Sequence, residues 1–200
     1  MRRVIRLKDF FIFIFVFWYS TEILFNSTLI EIWGESFNGI NNRINLLVFG
    51  LLMCQILFFQ SYTRDEMLLI AAITIFVAIS TILSGQKTIM SSWMFIVAAK
   101  DADLDKIIRI AYKILLIMLA IIISICLLGF IENVTLMRGN VERFSLGFSH
   151  PNQLGLRVFQ LIACQCYVYR YRLRKRNYLY FFLTILFLVR IPNSKTAYIF

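Results

Sequence analysis

Within fifteen residues the chain carries Arg143, His150, Asn152 and Arg157, in the run Arg-Phe-Ser-Leu-Gly-Phe-Ser-His-Pro-Asn-Gln-Leu-Gly from Arg143 to Gly155. Proline suits the first helical turn, where its missing N–H would lack an intrahelical partner, and it biases the preceding residue away from helix. Pro151 therefore places His150 at or just before a helix N-terminus. Such an end carries unpaired backbone donors and about half a positive charge, so it favours anions, and Arg143 adds a full charge nearby. Gln153, Arg157, Gln160 and Cys164 follow at spacings of four, three and four, which sets them on one helical face. In a membrane helix such a polar stripe should point inward, and together these residues describe one anion-accepting cleft opening to the outer face, where a phosphate or pyrophosphate could sit. Two plainer roles stay open: His150 as a helix cap, and Arg157 as a snorkelling or paired structural charge.

Other chemistry finds little support. One histidine with no partnered carboxylates makes no metal site. Asp101, Asp103 and Asp105 alternate, but the glycine and distal glutamate of a calcium loop are missing, so they read as a solvated loop. Cys54, Cys126, Cys164 and Cys166 fall in apolar stretches without a C-x-x-C pair.

The elements that position these residues follow from composition. Of 200 residues, 60% are hydrophobic and only 16% charged. That balance excludes a water-soluble enzyme, a disordered chain, a disulfide scaffold and a collagen-like repeat. It describes an all-α, polytopic integral membrane protein forming a single transmembrane domain over residues 1–200. In such a chain the net charge of +10 reports topology rather than nucleic acid binding.

A helical span needs roughly 20 mainly apolar residues. Residues 44–62, 67–84 and 114–131 meet that test without a charge, while 10–30 carries Glu22 and 153–169 carries Arg157. Residues 178–189 form a shorter run before Pro192. Residues 88–99 are also short, but counting them as a crossing puts nine basic residues on the cytoplasmic side downstream of them against four outside. Not counting them would export the basic run from Arg170 to Arg176, against the positive-inside rule. Seven spans result, with the N-terminus cytoplasmic and an eighth span only begun at Ala197. No small-residue cleavage site follows the first apolar run, so it reads as an uncleaved anchor. Two loops face outward, 31–43 and 132–149, and the second leads into His150.

The stretch from Arg143 to Gly155 resembles the multi-spanning bacterial polysaccharide polymerases of the Wzy and O-antigen ligase type, in which an R-x-S-x-G-F-x-H-P-N-x-x-G pattern begins a membrane helix. A second, shorter likeness is Asn193-Ser194-Lys195-Thr196, where the family often has Ser-Arg-Thr; here lysine keeps the charge without the bidentate fork. The resemblance implies a GT-C-like membrane glycosyltransferase at the outer face of the bacterial plasma membrane. It would join the repeat units of a capsule, exopolysaccharide or O-antigen, carried on polyprenyl pyrophosphate. A sugar hydroxyl attacks the anomeric carbon and the lipid pyrophosphate leaves, with no cofactor or metal. By role, the resemblance implies His150 and Arg143 as catalytic residues, with His150 as general base, if neutral, or as a group that orients substrate, and Asn152, Arg157, Arg190 and Lys195 as substrate contacts. Expected partners are the lipid-linked oligosaccharide, membrane lipids and other polysaccharide-assembly membrane proteins, and no nucleic acid. Family members are longer, so a chain ending at Phe200 is expected to be the N-terminal portion of such a polymerase and inactive by itself. The alternatives are a transporter or flippase for the same lipid-linked oligosaccharide, and a non-catalytic membrane subunit.

Overall fold

The computed structural model describes residues 7–28, 35–85, 87–138, 141–171 and 175–191. It is mostly helical. Seven helices and two strands are described: α1 (Leu7–Ser27), α2 (Glu35–Phe58), α3 (Arg64–Ser84), α4 (Lys87–Ala98), α5 (Leu104–Leu127), β1 (Thr135–Arg138), β2 (Val141–Phe144), α6 (Pro151–Tyr169) and α7 (Lys175–Arg190). Each helix coincides with one of the seven apolar stretches. The expected start of an eighth at Ala197, and Lys195, lie outside the described residues.

Three local differences from the sequence reading have physical causes. The outward loop expected over 31–43 is helical from Glu35, because the polar residues before the apolar run extend α2. Asp105 is not in a solvated loop: α5 begins at Leu104, and the acidic side chain sits in its first turn, where the helix dipole favours it. The other loop expected to face outward, over 132–149, contains an antiparallel hairpin, with Thr135 opposite Phe144 and Arg138 opposite Val141.

The chain divides into two compact units, Met1–Trp18 with Asn42–Asp103, and Tyr19–Asn41 with Leu104–Phe200. In the first, Phe11, Ile14, Val48, Leu52, Met94 and Val97 are buried. Trp18 and Phe95 stack with ring centroids 4.2 Å apart. Helix α3 opens on a reciprocal cap: the Glu66 N–H donates to Thr63 Oγ1 at 3.3 Å, and the Thr63 N–H donates to Glu66 Oε2 at 2.8 Å. It closes at Gly85, whose φ of +68° and bond to the Thr81 carbonyl end the helix. Lys100 then ties the end of α4 to this cap, 2.6 Å from Glu66 Oε2.

None of the residues of α3 is buried, and Leu68, Phe76, Ile82 and Leu83 are 71–82% exposed. A helix that is apolar all round and uncovered fits a lipid surrounding. Among the described residues two helices, α3 and α5, are long and apolar enough to cross a membrane.

In the second unit, α5 packs against α6, and α6 against α7. Ala111, Ile114, Leu115, Leu119, Ile122 and Cys126 recur three and four apart and form the buried stripe of α5. Leu116, Ile117 and Ile121 on its other side stay exposed. Helix α5 ends in a Schellman turn: the Gly129 N–H donates to Cys126 O at 3.0 Å and the Phe130 N–H to Ile125 O at 3.1 Å, with Gly129 at φ +80°. At the opposite end Asp105 accepts from the Tyr167 hydroxyl at 2.7 Å and from Arg170 at 2.9 Å, clasping the start of α5 to the end of α6.

Candidate functional site

The site is built where the hairpin runs into α6. Side chains alternate across a strand, so Arg143 turns inward on β2 at only 5% accessibility while its neighbour Glu142 points away and is exposed; Val141, on the Arg143 side, is exposed at the start of the strand. The backbone of β2 is held from two sides. The Phe144 N–H donates to the Ile191 carbonyl at 3.2 Å, just past α7, and the Ser145 N–H donates to Val134 O at 3.1 Å.

A tight turn follows. Leu146 has φ +46° and Gly147 φ +88°, the left-handed region that a side-chain-bearing residue adopts only at a cost. The Leu146 N–H is met by Asn133 Oδ1 at 2.9 Å, which helps hold that conformation. Gly147 lies so close to α5 that a Cβ there would stand 3.1 Å from Cys126 Cβ and 3.2 Å from Ile122 Cγ2. Phe148, fully buried, forms an antiparallel bridge with Thr28 at the end of α1, and the Thr28 hydroxyl donates back to the Leu24 carbonyl. The turn is thus pinned to α1 and to α5 within three residues.

The chain then enters α6. His150 is extended, with φ −153° and ψ 144°, and its Nδ1 accepts the Asn152 N–H at 3.0 Å, making it the N-cap. An amide N–H only donates, so Nδ1 is the lone-pair nitrogen; in the neutral ring the proton sits on Nε2, which is a donor. Asn152 is held by a second bond: Arg143 Nη2 donates to its Oδ1 at 2.5 Å. Asn152 is a neutral partner, which orients the guanidinium without cancelling its charge. Arg143, His150 and Asn152 are therefore brought together, strand to helix tip.

Arg157 is placed elsewhere. Five residues along the helix from Asn152 is a turn of about 140°, so the two side chains leave α6 on different faces. Arg157 is 7% accessible, donates to Gln160 Oε1 at 3.2 Å and bonds the Tyr19 phenol. Gln153, Gln160 and Cys164 are half-buried beside it, so the polar face of α6 does turn inward. The Arg190 side chain is outside the described part of α7, but the bond between Phe144 and Ile191 sets the end of that helix beside β2, next to Arg143. Among the described residues no group of three His, Cys, Asp or Glu could hold a metal ion.

Sequence reasoning missed Asn133, Gly147, Thr28 and Tyr19 as positioning residues. Asn133 belongs to an Asn-Val-Thr triplet that also matches a glycosylation acceptor, which hid its role as a turn-holding acceptor. The hairpin had a signal: Gly139-Asn140 is a two-residue dipeptide of the kind that joins paired strands. For Thr28 and Tyr19 no local signal exists, because their partners are more than a hundred residues away. No protein family, curated protein or solved structure matches this chain.

Proposed function

We propose that this chain forms part of a membrane glycosyltransferase of the polysaccharide-polymerase type, which joins repeat units carried on polyprenyl pyrophosphate at the outer face of a bacterial plasma membrane. All seven helices cross the bilayer in this reading, with the N-terminus inside and the hairpin outside, in a GT-C-like arrangement. The observation that carries it is the bond from buried Arg143 to Asn152 at the first turn of α6, beside the capped His150. A fixed cation at a helix N-terminus suits a leaving pyrophosphate, whose charge grows as the glycosidic bond breaks.

Roles follow from the hydrogen bonds. Arg143 stabilises the departing pyrophosphate. His150, with Nδ1 occupied by the helix cap, presents its Nε2–H to substrate and acts as an orienting donor rather than as a general base. Asn152 holds Arg143. Arg157, on another face, contacts the substrate through the polar stripe of α6, and Arg190 and Lys195 are further contacts from the end of α7 and beyond it.

The test uses cells whose gene carries Arg143→Ala or His150→Ala, with lipid-linked saccharides as the readout. Loss of Arg143 is expected to lower polymer formation about a hundredfold or more, as loss of a preorganised charge-stabilising group does. Single repeats should then accumulate at the outer face. Single repeats trapped inside would replace this reading with a flippase; unchanged polymer length and yield would end it.

A further inference from the structure

The first unit contains a cavity of about 190 Å³ that the proposed function does not use, lined by Phe11 of α1, Gln55 and Phe59 of α2 and its end, Gln60, and Asp101 beyond α4. Gln55 is 3% accessible, and its Oε1 is buried without a hydrogen-bond partner. A buried acceptor with no donor is costly, and its presence beside a cavity calls for a ligand that brings one. The neighbouring amide offers none: Gln60 Nε2 donates to the Ala98 carbonyl at 2.7 Å, and Gln60 Oε1 accepts the Tyr62 hydroxyl. Among the described residues of the lining the remaining polar side chain is the Asp101 carboxylate, and none is basic.

We propose that this cavity binds a primary ammonium group. Its N–H bonds would go to Gln55 Oε1 and to Asp101, and its charge would lie against the faces of Phe11 and Phe59, which attract cations. At roughly 30 Å³ per water the space equals about six waters, enough for an aminoethyl group. A quaternary ammonium has no N–H and leaves Gln55 Oε1 unmet, so the site discriminates by methylation. Gln60 and Asp101 lie just past the ends of α2 and α4, where a span would meet water. The ammonium could therefore come from a soluble amine or, on the membrane reading above, from a phosphatidylethanolamine headgroup.

The test uses the whole chain in phosphatidylcholine nanodiscs, titrated with ethylammonium chloride against tetramethylammonium chloride at one ionic strength and followed by calorimetry. In parallel, nanodiscs of equal phosphatidylethanolamine and phosphatidylcholine are examined by native mass spectrometry for retained lipid. The primary ammonium should be preferred about tenfold, the worth of one charge-assisted hydrogen bond. Gln55→Leu, which replaces the unmet amide with an apolar group of similar size, should abolish the preference, and Asp101→Asn, at an exposed position, should weaken it. Ethylammonium binding identifies a soluble amine, and lipid retention without it identifies the headgroup. Equal binding of primary and quaternary forms, no binding of either together with no preferential retention of phosphatidylethanolamine, or a preference that survives Gln55→Leu overturns the proposal.

Discussion

Replacing Gly147 by alanine tests whether close approach to α5 positions the candidate site. Two costs add at this residue. The first is conformational: φ +88° is left-handed, and a Cβ there costs about 1–2 kcal/mol. The second is steric, since the new Cβ would stand 3.1 Å from Cys126 Cβ, 3.2 Å from Ile122 Cγ2 and 3.4 Å from Ile122 O. Overpacking of this kind costs about 1–3 kcal/mol. Gly129 supplies the control, because it has φ +80° and nothing within 4 Å of an added Cβ, so Gly129→Ala carries only the first cost. Gly147→Ala should therefore lose about 2–5 kcal/mol and Gly129→Ala about 1–2, measured by equilibrium unfolding in mixed micelles followed by circular dichroism. A second readout is local. With Cys126 as the sole cysteine, a thiol reagent should label Gly147→Ala faster than the parent, because the turn lifts off the buried thiol, while Gly129→Ala is unchanged. Equal losses in the two variants, with equal labelling, would refute the claim that the turn is seated on α5.

Three further outcomes are expected. Asn133→Ala should cost about 1 kcal/mol, the worth of the acceptor that meets the Leu146 N–H, while Asn133→Asp keeps that acceptor; unfolding titrations that rank the two equally would remove Asn133 from the site. Ser145→Ala should hold or raise stability by up to about 1 kcal/mol, because the Ser145 hydroxyl is buried without a hydrogen-bond partner; a clear loss in the same titration would contradict this. The Asp105 carboxyl, in the charged first turn of α5 before the uncharged run, is held below the usual carboxylate range, first by the Tyr167 hydrogen bond and then by that of Arg170. A lowered folded pKa means the stability it contributes is present above the ordinary carboxylate value and lost as pH falls through the lowered one, and Asp105→Asn should remove that acid-side slope.

The helices could be read from the chain because each rests on a local pattern. Uncharged runs mark α3 and the body of α5, and the Pro151 signal places the start of α6 to the residue. What composition could not supply was the pairing of distant segments. The hairpin is four residues per strand, too short to outweigh the apolar runs on either side. The polar face of α6 was correctly turned inward, yet periodicity could not say that Arg157 would meet Tyr19 while Arg143 met Asn152. Grouping all the cations into one cleft was a reading of sequence proximity, and the helical twist separates Asn152 from Arg157.

A seven-residue connection from Phe144 to His150 has too few contacts of its own to hold a buried guanidinium in register with a helix tip. The tethers come from outside it: Ile191 beyond α7 fixes Phe144, Asn133 fixes Leu146, α5 seats Gly147, and Thr28 at the end of α1 fixes Phe148. Arg143 then inherits its place from three helices that contribute no side chain to its bond with Asn152. Preorganised charge is useful to catalysis only if it does not relax when substrate charge changes, and that rigidity resides in these anchors. It follows that, on the proposed function, substitutions at Thr28 or Ile122, far along the chain, should lower polymer yield in the same assay as substitution of Arg143, by shifting its guanidinium rather than removing it; unchanged yield would show that these anchors do not position it.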